Sequence, residues 1–481
     1  MRTSSQFVQP RRCRHYRLQT FRPSEDGKTA NQQPESDRSS LSCTDPHRLH
    51  IEIMSPSKFS LFSSLLLVLS YAIVAQAIPA TKAVDDSLIS LSIAKRFNLT
   101  GSANVVARDQ ARARGLRAQA IARGTGTKPL SPSPAEPTSI SATNELLYYV
   151  VDVEIGIPPI TYELIVDTGT ANTWVGAGRT FIQSQKTRQT RDTVLVDYGA
   201  GEYMSGVEFT DRVQLGGPSQ GLIIMGQSFG VASEWSGFEG VDGVLGLGPA
   251  VLTIGTLSPD STASIPTVTD GLFSRGYIGA NVFSVYFQPS STGDPITGQL
   301  TFGGTGMYGA VGPVNYAPIT SIESSSDFWG INQGLRYGAS SQLLSSNPGI
   351  FDSRTTMILL ASDVFAKYID LVGAVPAPEA PGFYKITVDQ YANLQSLFFT
   401  IHNVLYEFTA NAQIWPRNLN NVIGGMPGWC YLVLGDITWD SGSGMDFING
   451  MTFIERYYMV FDTDNSRVGI ANTPYTRATT N

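Results

Sequence analysis

Regular alternation of apolar and polar positions begins near residue 146. The stretch LLYYVVDVEIGIPPITYELIVDTG (146–169) interleaves β-branched and aromatic residues with polar ones and is broken by Gly-Ile-Pro-Pro. That texture fits two strands joined by a turn. Comparable strand runs return in YLVLGDI (431–437) and YYMVFDTDNSRVGIA (457–471). Helical periodicity is scarce. SDVFAKYIDLVGAV (362–375) is its clearest instance, with Gly373 where a helix should stop. The body from residue 140 onward is therefore predicted to be mainly β.

Upstream the pattern differs. FSLFSSLLLVLSYAIVAQA (59–77) is an apolar run with Lys58 before it and Ala75-Gln76-Ala77 at its end. A basic start, an apolar centre and a small-x-small close define a signal peptide, here over 54–77 if translation starts at Met54. Nineteen residues could also just span a bilayer, but the internal serines and the AQA end favour cleavage. Residues 1–53 are polar, Arg-rich and aperiodic, as expected of a disordered extension or a mis-called start. Residues 78–139 carry nine basic and four acidic residues and close in KPLSPSPAEPTS, a Pro/Ser linker. A basic segment between a signal peptide and an acidic body reads as a propeptide, with a flexible spacer as the alternative. Asn98-Leu99-Thr100 is a glycosylation sequon, a weak signal alone.

At 481 residues the chain exceeds what one core usually supports, so two lobes are expected, over 140–325 and 326–481. Residues 140–481 hold fourteen basic and thirty acidic residues, a net charge of −16. That balance disfavours nucleic acid and anionic membranes as partners. Only His402 and Cys430 lie in the body. This argues against a His/Cys metal site, an intramolecular disulfide or cofactor chemistry there, and leaves carboxylates, hydroxyls and backbone as the chemical groups. The polar C-terminus TRATTN has no lipid-anchor signal.

A weak internal repeat supplies the candidate site. Asp167-Thr168-Gly169-Thr170 follows one apolar strand, and Asp352-Ser353-Arg354-Thr355 follows another, 185 residues later. Each motif is followed by an apolar pair and a glycine: Val244-Leu245-Gly246, then, less well kept, Phe447-Ile448-Asn449-Gly450. Two similar halves, each giving one Asp, suggest a pseudo-symmetric bilobal enzyme with paired carboxylates at the lobe interface. Two carboxyls held together share one proton; the ionised one can take a proton from water while the protonated one polarises a carbonyl.

With these motifs in hand, the body resembles the pepsin-family aspartic endopeptidases, most of all the polyporopepsin group of basidiomycete secreted acid proteases. The resemblance runs through IVDTGTANTWVGA, VDYGAGEYMSG, GVDGVLGLGP, FWGINQ, FDSRTTMILLASDVFAKY, ANLQSLFFTI, NAQIWPRNL and DFINGMTFIERYYMVFD. It implies a pepsin-like bilobal fold with a flap hairpin and a monomer acting on proteins or peptides at acidic pH, with apolar residues preferred beside the bond. It places Asp167 and Asp352 as the catalytic pair, and Thr168, Gly169, Thr170, Ser353, Arg354 and Thr355 in the supporting loops. Tyr198 and Gly199 fall in the flap, braced by Trp174. The basic residues from Arg108 to Lys128 are expected to meet acidic groups near the cleft. No cofactor is implied; the destination is extracellular, with a vacuole as the alternative.

Two positions depart from the family pattern. Arg354 stands where the family has glycine, in a loop expected to be tight. Asn449 stands where an apolar residue is usual. Arg354 therefore opens a second reading, a catalytically inactive homologue that binds peptides in the cleft. A β-rich glycosidase also uses two carboxylates, but the paired Asp-hydroxyl motifs and the hairpin speak against it.

Overall fold

The computed structural model describes residues 88–97, 104–126, 147–216, 222–289, 297–306 and 308–481. The expected signal peptide, the extension 1–53, the Asn98 sequon, Lys128 and the Pro/Ser linker lie outside these residues. Everything described falls within one compact unit, Thr81–Asn481.

The elements that build the site are β1 (Ile89–Phe97), α1 (Val105–Gly124), β2 (Leu147–Ile155), β3 (Ile160–Asp167), β4 (Trp174–Val175), β5 (Arg188–Gly199), β6 (Glu202–Leu215), β7 (Leu222–Ser236) and β8 (Gly243–Gly246). The predicted strand pair is β2–β3, antiparallel from Val150↔Ile165 to Ile155↔Ile160 across the Gly156–Pro159 turn. All eight belong to a fourteen-stranded sheet, which the C-terminal strands Tyr457–Asp462 and Arg467–Asn472 rejoin. A seven-stranded sheet is built between residues 330 and 449. The predicted helix is α2 (Ser362–Val372), stopped by Gly373 in the left-handed conformation at φ 64°.

The internal repeat is a repeat of topology. β3 runs parallel to β8, ending at Asp167↔Gly246, while β8 also pairs antiparallel with β4, and β4 runs parallel to β7. In the second sheet Ser341–Phe351 runs parallel to Phe447–Asn449, which pairs antiparallel with Ile358–Leu360, and that strand runs parallel to Leu434–Asp436. Each Asp thus leaves a strand at the point where a crossing strand closes over it. The register identifies FING as the counterpart of the first-half VLG segment, and YLVLGDI as the counterpart of β7.

Asn449 is accommodated by a partner that a linear reading does not reveal. Its Nδ2 donates to Gln333 Oε1 at 2.8 Å, and both side chains are fully buried. A buried polar group is tolerated when hydrogen-bonded. Asn449→Leu alone should therefore destabilise the fold by about 1–3 kcal/mol, because it strands Gln333. Adding Gln333→Leu should recover most of that loss in thermal melts.

Two elements upstream of the body were not foreseen. β1 buries Ile89, Leu91, Ile93 and Lys95 in strict alternation and lies between β2 and Thr297–Phe302. α1 is rich in good helix formers, Ala, Arg, Leu and Gln, and Asn104 caps it by accepting from the Ala107 N–H. Its buried face is charged as well as apolar, carrying Arg108, Asp109 and Arg112 beside Val105, Ala113 and Leu116.

Candidate active site

The two Asp motifs meet. Thr168 N–H donates to Ser353 Oγ at 3.0 Å, and Ser353 N–H donates to Thr168 Oγ1 at 2.9 Å. These reciprocal bonds join the loops after β3 and after Phe351. Within the first loop, Gly169 N–H and Thr170 N–H donate to Asp167 Oδ1 at 2.8 and 3.2 Å, and Thr170 Oγ1 donates to Oδ2 at 2.9 Å. The second loop repeats the scheme: Arg354 N–H to Asp352 Oδ1 at 3.2 Å, Thr355 Oγ1 to Oδ2 at 2.5 Å. Both carboxylates are wholly buried.

Glycine is required in only one of the two loops. A Cβ on Gly169 would sit 2.5 Å from Asp352 Oδ1, so any side chain there collides with the opposite carboxylate. Arg354 occupies the pseudo-symmetric position without a positive φ. The tight, glycine-only loop expected there is not what forms. The Arg354 N–H keeps its bond to Asp352, and the side chain leads away to the flap hairpin. Its Nη2 pairs with Glu202 Oε2 at 2.6 Å, and its guanidinium lies 4.5 Å from the Tyr198 ring and 4.4 Å from that of Phe238. Trp174 Nε1 donates to the Tyr198 hydroxyl at 2.7 Å, so the residues expected in flap and brace are in direct contact.

The cleft is filled by α1. Arg112 places one guanidinium on both carboxylates: Nη2 lies 2.8 Å from Asp167 Oδ1 and from Asp352 Oδ1, and Nε lies 2.6 Å from Asp352 Oδ2. One turn earlier, Arg108 Nε meets Glu202 Oε1 at 2.7 Å. Asp109, fully buried, accepts from the Thr356 and Met357 N–H groups at 2.9 and 2.8 Å. Arg123 reaches Asp327 at 3.0 Å, and Lys95 of β1 reaches Glu455 at 2.5 Å. The helix lies against the hairpin tip because both sides are glycine. A Cβ on Gly115 would stand 3.0 Å from Gly199 Cα, and one on Gly199 would stand 2.5 Å from the Ala111 carbonyl oxygen.

Electrostatics separate the two carboxyls. Burial raises Asp167, and the Arg112 charge offsets this only in part. Burial would raise Asp352 too, but the charge and hydrogen bonds of Arg112, with those of Thr355 and the Arg354 N–H, bring it below the usual carboxylate range. With α1 in place, Asp352 is thus the more readily ionised of the two and Asp167 the less. Asp109 is pushed up to about 7 by burial, against the pull of Arg108 and its two N–H donors. Among the described residues no group of three or more His, Cys, Asp or Glu could hold a metal ion. No described helix is long and apolar enough to cross a membrane. Cys430 is a buried free thiol. Sequence reasoning did not single out Glu202, Phe238, Asp109 or Gln333; only their spatial neighbours reveal them.

A crossing-strand architecture repeated in two halves, with an Asp-hydroxyl motif from each at one point, defines an aspartic endopeptidase. The chain belongs to the eukaryotic aspartyl protease family, whose profile matches residues 148–473. It is 53% identical over 343 residues to polyporopepsin of Irpex lacteus, covering 71% of this chain and 99% of that protein. It is 28% identical over 431 residues to rhizopuspepsin-1 of Rhizopus niveus, covering 86% and 99%. The crystal structure of the aspartic proteinase from Irpex lacteus superposes with a TM-score of 0.67 at 52% identity, over 69% of this chain and 96% of that one.

Proposed function

We propose that this chain is a secreted endopeptidase that hydrolyses peptide bonds at acidic pH through Asp167 and Asp352, and that it is made as a latent precursor. The observation that carries the reading is the single Arg112 guanidinium shared by both carboxylates. A cation of this chain's own upstream segment neutralises the place where the buried Asp167 and Asp352 carboxyls face each other. Once Arg112 leaves, the two can share one proton, behaviour for which the aspartic-protease dyad is itself the standard worked example. The ionised carboxylate takes a proton from a water molecule, whose oxygen attacks the substrate carbonyl carbon. The protonated carboxyl donates to the carbonyl oxygen, giving a neutral tetrahedral diol. Proton transfer to the amide nitrogen then lets the C–N bond break, and the proton count of the pair is restored. Both motifs lie in one chain, so no partner subunit is needed.

The Arg354 geometry favours activity over an inactive peptide-binding homologue, since the guanidinium is held by Glu202 and two rings and its N–H still serves Asp352. Casein cleavage at acidic pH by the full chain, abolished by pepstatin, is the expected result. Absence of cleavage, with pepstatin still bound, would favour the inactive homologue.

The docked segment should respond to pH with two opposed limbs. Asp352 lies below the usual carboxylate range, so its contribution to docking is present above that range and is lost as pH falls through the lowered value. Asp109 lies above it, so its contribution is complete in acid and is lost as pH rises through about 7. Latency should therefore peak between the two, with release in acid set by the Asp352 end of the Arg112 bridge, since Asp167, raised by burial, adds nothing to that limb. Asp109→Asn should flatten the alkaline limb and leave the acid limb unchanged, as read by protease sensitivity of α1 across pH. An unaltered alkaline limb would exclude Asp109 as its source.

A further inference from the structure

We propose that Arg354 sets the side-chain preference beside the scissile bond: it fills the aromatic pocket under the flap hairpin, so the cleft takes small side chains there and turns large apolar ones away. This rests on the cleft reading above and departs from the apolar preference that the family resemblance implies.

The pocket is defined by side chains of the body. The Tyr198 and Phe238 rings meet edge to face at 5.0 Å, and Trp174 meets Phe238 at 4.7 Å. An aromatic corner of this kind would ordinarily receive an apolar substrate side chain. Here the Arg354 guanidinium occupies it, stacked 4.5 and 4.4 Å from the two rings, and the residue is only 1% exposed. Glu202 fixes it there through a 2.6 Å pair. Glu202, Tyr198 and Phe238 all belong to the body rather than to α1, so the contacts that hold Arg354 need no residue of the helix, although Glu202 gives up its bond from Arg108 when α1 departs.

The pocket also lies where a substrate must pass. Arg112 marks the carboxylates. Arg108, one helical turn or about 6 Å away along α1, touches Glu202 and, through Nη1 at 3.4 Å, the Arg354 carbonyl oxygen. An extended peptide advances about 3.3 Å per residue. A chain lying where α1 now lies therefore meets Arg354 within about two residues of the carbonyl under attack. A large apolar side chain can enter only by displacing the guanidinium. That would separate two buried charges and leave each without its counter-ion. A small side chain leaves the pair intact. Differences of a single methylene in a pocket change rates by about 10–200-fold, so exclusion of a whole ring should be readily measured.

The test uses the full chain after acidification, with octapeptides carrying Ala or Phe at either residue flanking the scissile bond, and reduced-bond analogues for calorimetry. Wild type should cleave and bind the Ala peptides at least about tenfold better at the flanking position that meets the pocket. Arg354→Gly should invert that order. Arg354→Met keeps an unbranched but shorter side chain without the charge, and should retain part of the preference for Ala because bulk decides it. Loss of fold would lower all rates together and would not invert a ratio. If Arg354→Gly does not fold, the wild-type order alone decides. Wild type preferring Phe at both positions, or a glycine variant with unchanged order, overturns the proposal while leaving the protease reading intact. A chain that neither cleaves nor binds any of the peptides overturns both.

Discussion

Asp352→Asn should reduce peptide hydrolysis by a factor on the order of 10⁴, the upper range for loss of a positioned acid–base group. The neutral amide cannot take a proton from water, and a lone Asp167 carboxyl cannot act as base and acid at once. The fold should survive. An Asn oxygen can still accept from Thr355 Oγ1, which now lies 2.5 Å from Asp352 Oδ2. Melting should therefore change little, and pepstatin binding should weaken without disappearing. Asp167→Asn should inactivate to a similar degree by removing the other half of the shared-proton pair. Retention of acid proteolysis in either variant, measured by single-turnover cleavage, would dismiss the carboxylate mechanism. Gly169→Ala offers a steric counterpart: a methyl group 2.5 Å from Asp352 Oδ1 cannot be accommodated without moving the opposite loop.

Arg112→Ala should abolish latency at neutral pH. The substitution leaves two buried carboxyls facing each other with no cation between them. Removing one partner of a buried pair typically costs about 3–5 kcal/mol, charged here to the docked state alone. Opening of the cleft should rise by about two to four orders of magnitude, visible as pepstatin binding at pH 7 and as cleavage of α1 by an added protease. Arg112→Lys should fall between, since an ammonium keeps the charge but not the planar fork that touches both carboxylates. A variant as latent as wild type would show that Arg108, Asp109 and Arg123 hold the helix without it.

The body was legible in the sequence because its strands are β-branched and aromatic runs cut by turn residues, the two Asp motifs repeat, and Gly373 ends a helix as glycine does. Neither β2 nor β3 buries one clean face: the last four residues of β3 are all buried. The meeting of the two Asp motifs and the Trp174–Tyr198 contact were legible through the motif. α1 was not, for a physical reason. A helix is recognised by an apolar stripe, and the stripe of α1 includes Arg108, Asp109 and Arg112, whose partners lie elsewhere in the chain. Its burial makes sense only once Asp167, Asp352 and Glu202 are gathered in front of it. The same holds for Arg354. Its neighbours in sequence suggest a crowded loop, whereas its neighbours in space are a carboxylate and two rings from the other half of the molecule. β1 did carry a signal, Ile89, Leu91, Ile93 and Lys95, but its fourth member is a lysine neutralised by distant Glu455.

The position of β1 also sets a timetable for biosynthesis. This strand leaves the ribosome early, yet one of its neighbours in the sheet, Thr297–Phe302, pairs with it in the register Ile89↔Phe302 and emerges some two hundred residues later. At about 5–20 residues per second, the nascent chain carries an apolar strand edge for about 10–40 s before the ladder can close. Exposed edges of that kind invite intermolecular pairing. Production of this protein should accordingly depend on holding chaperones early in translation. A gene trimmed to begin at residue 140 should yield inclusion bodies, because the strand that joins two parts of the large sheet would never be made.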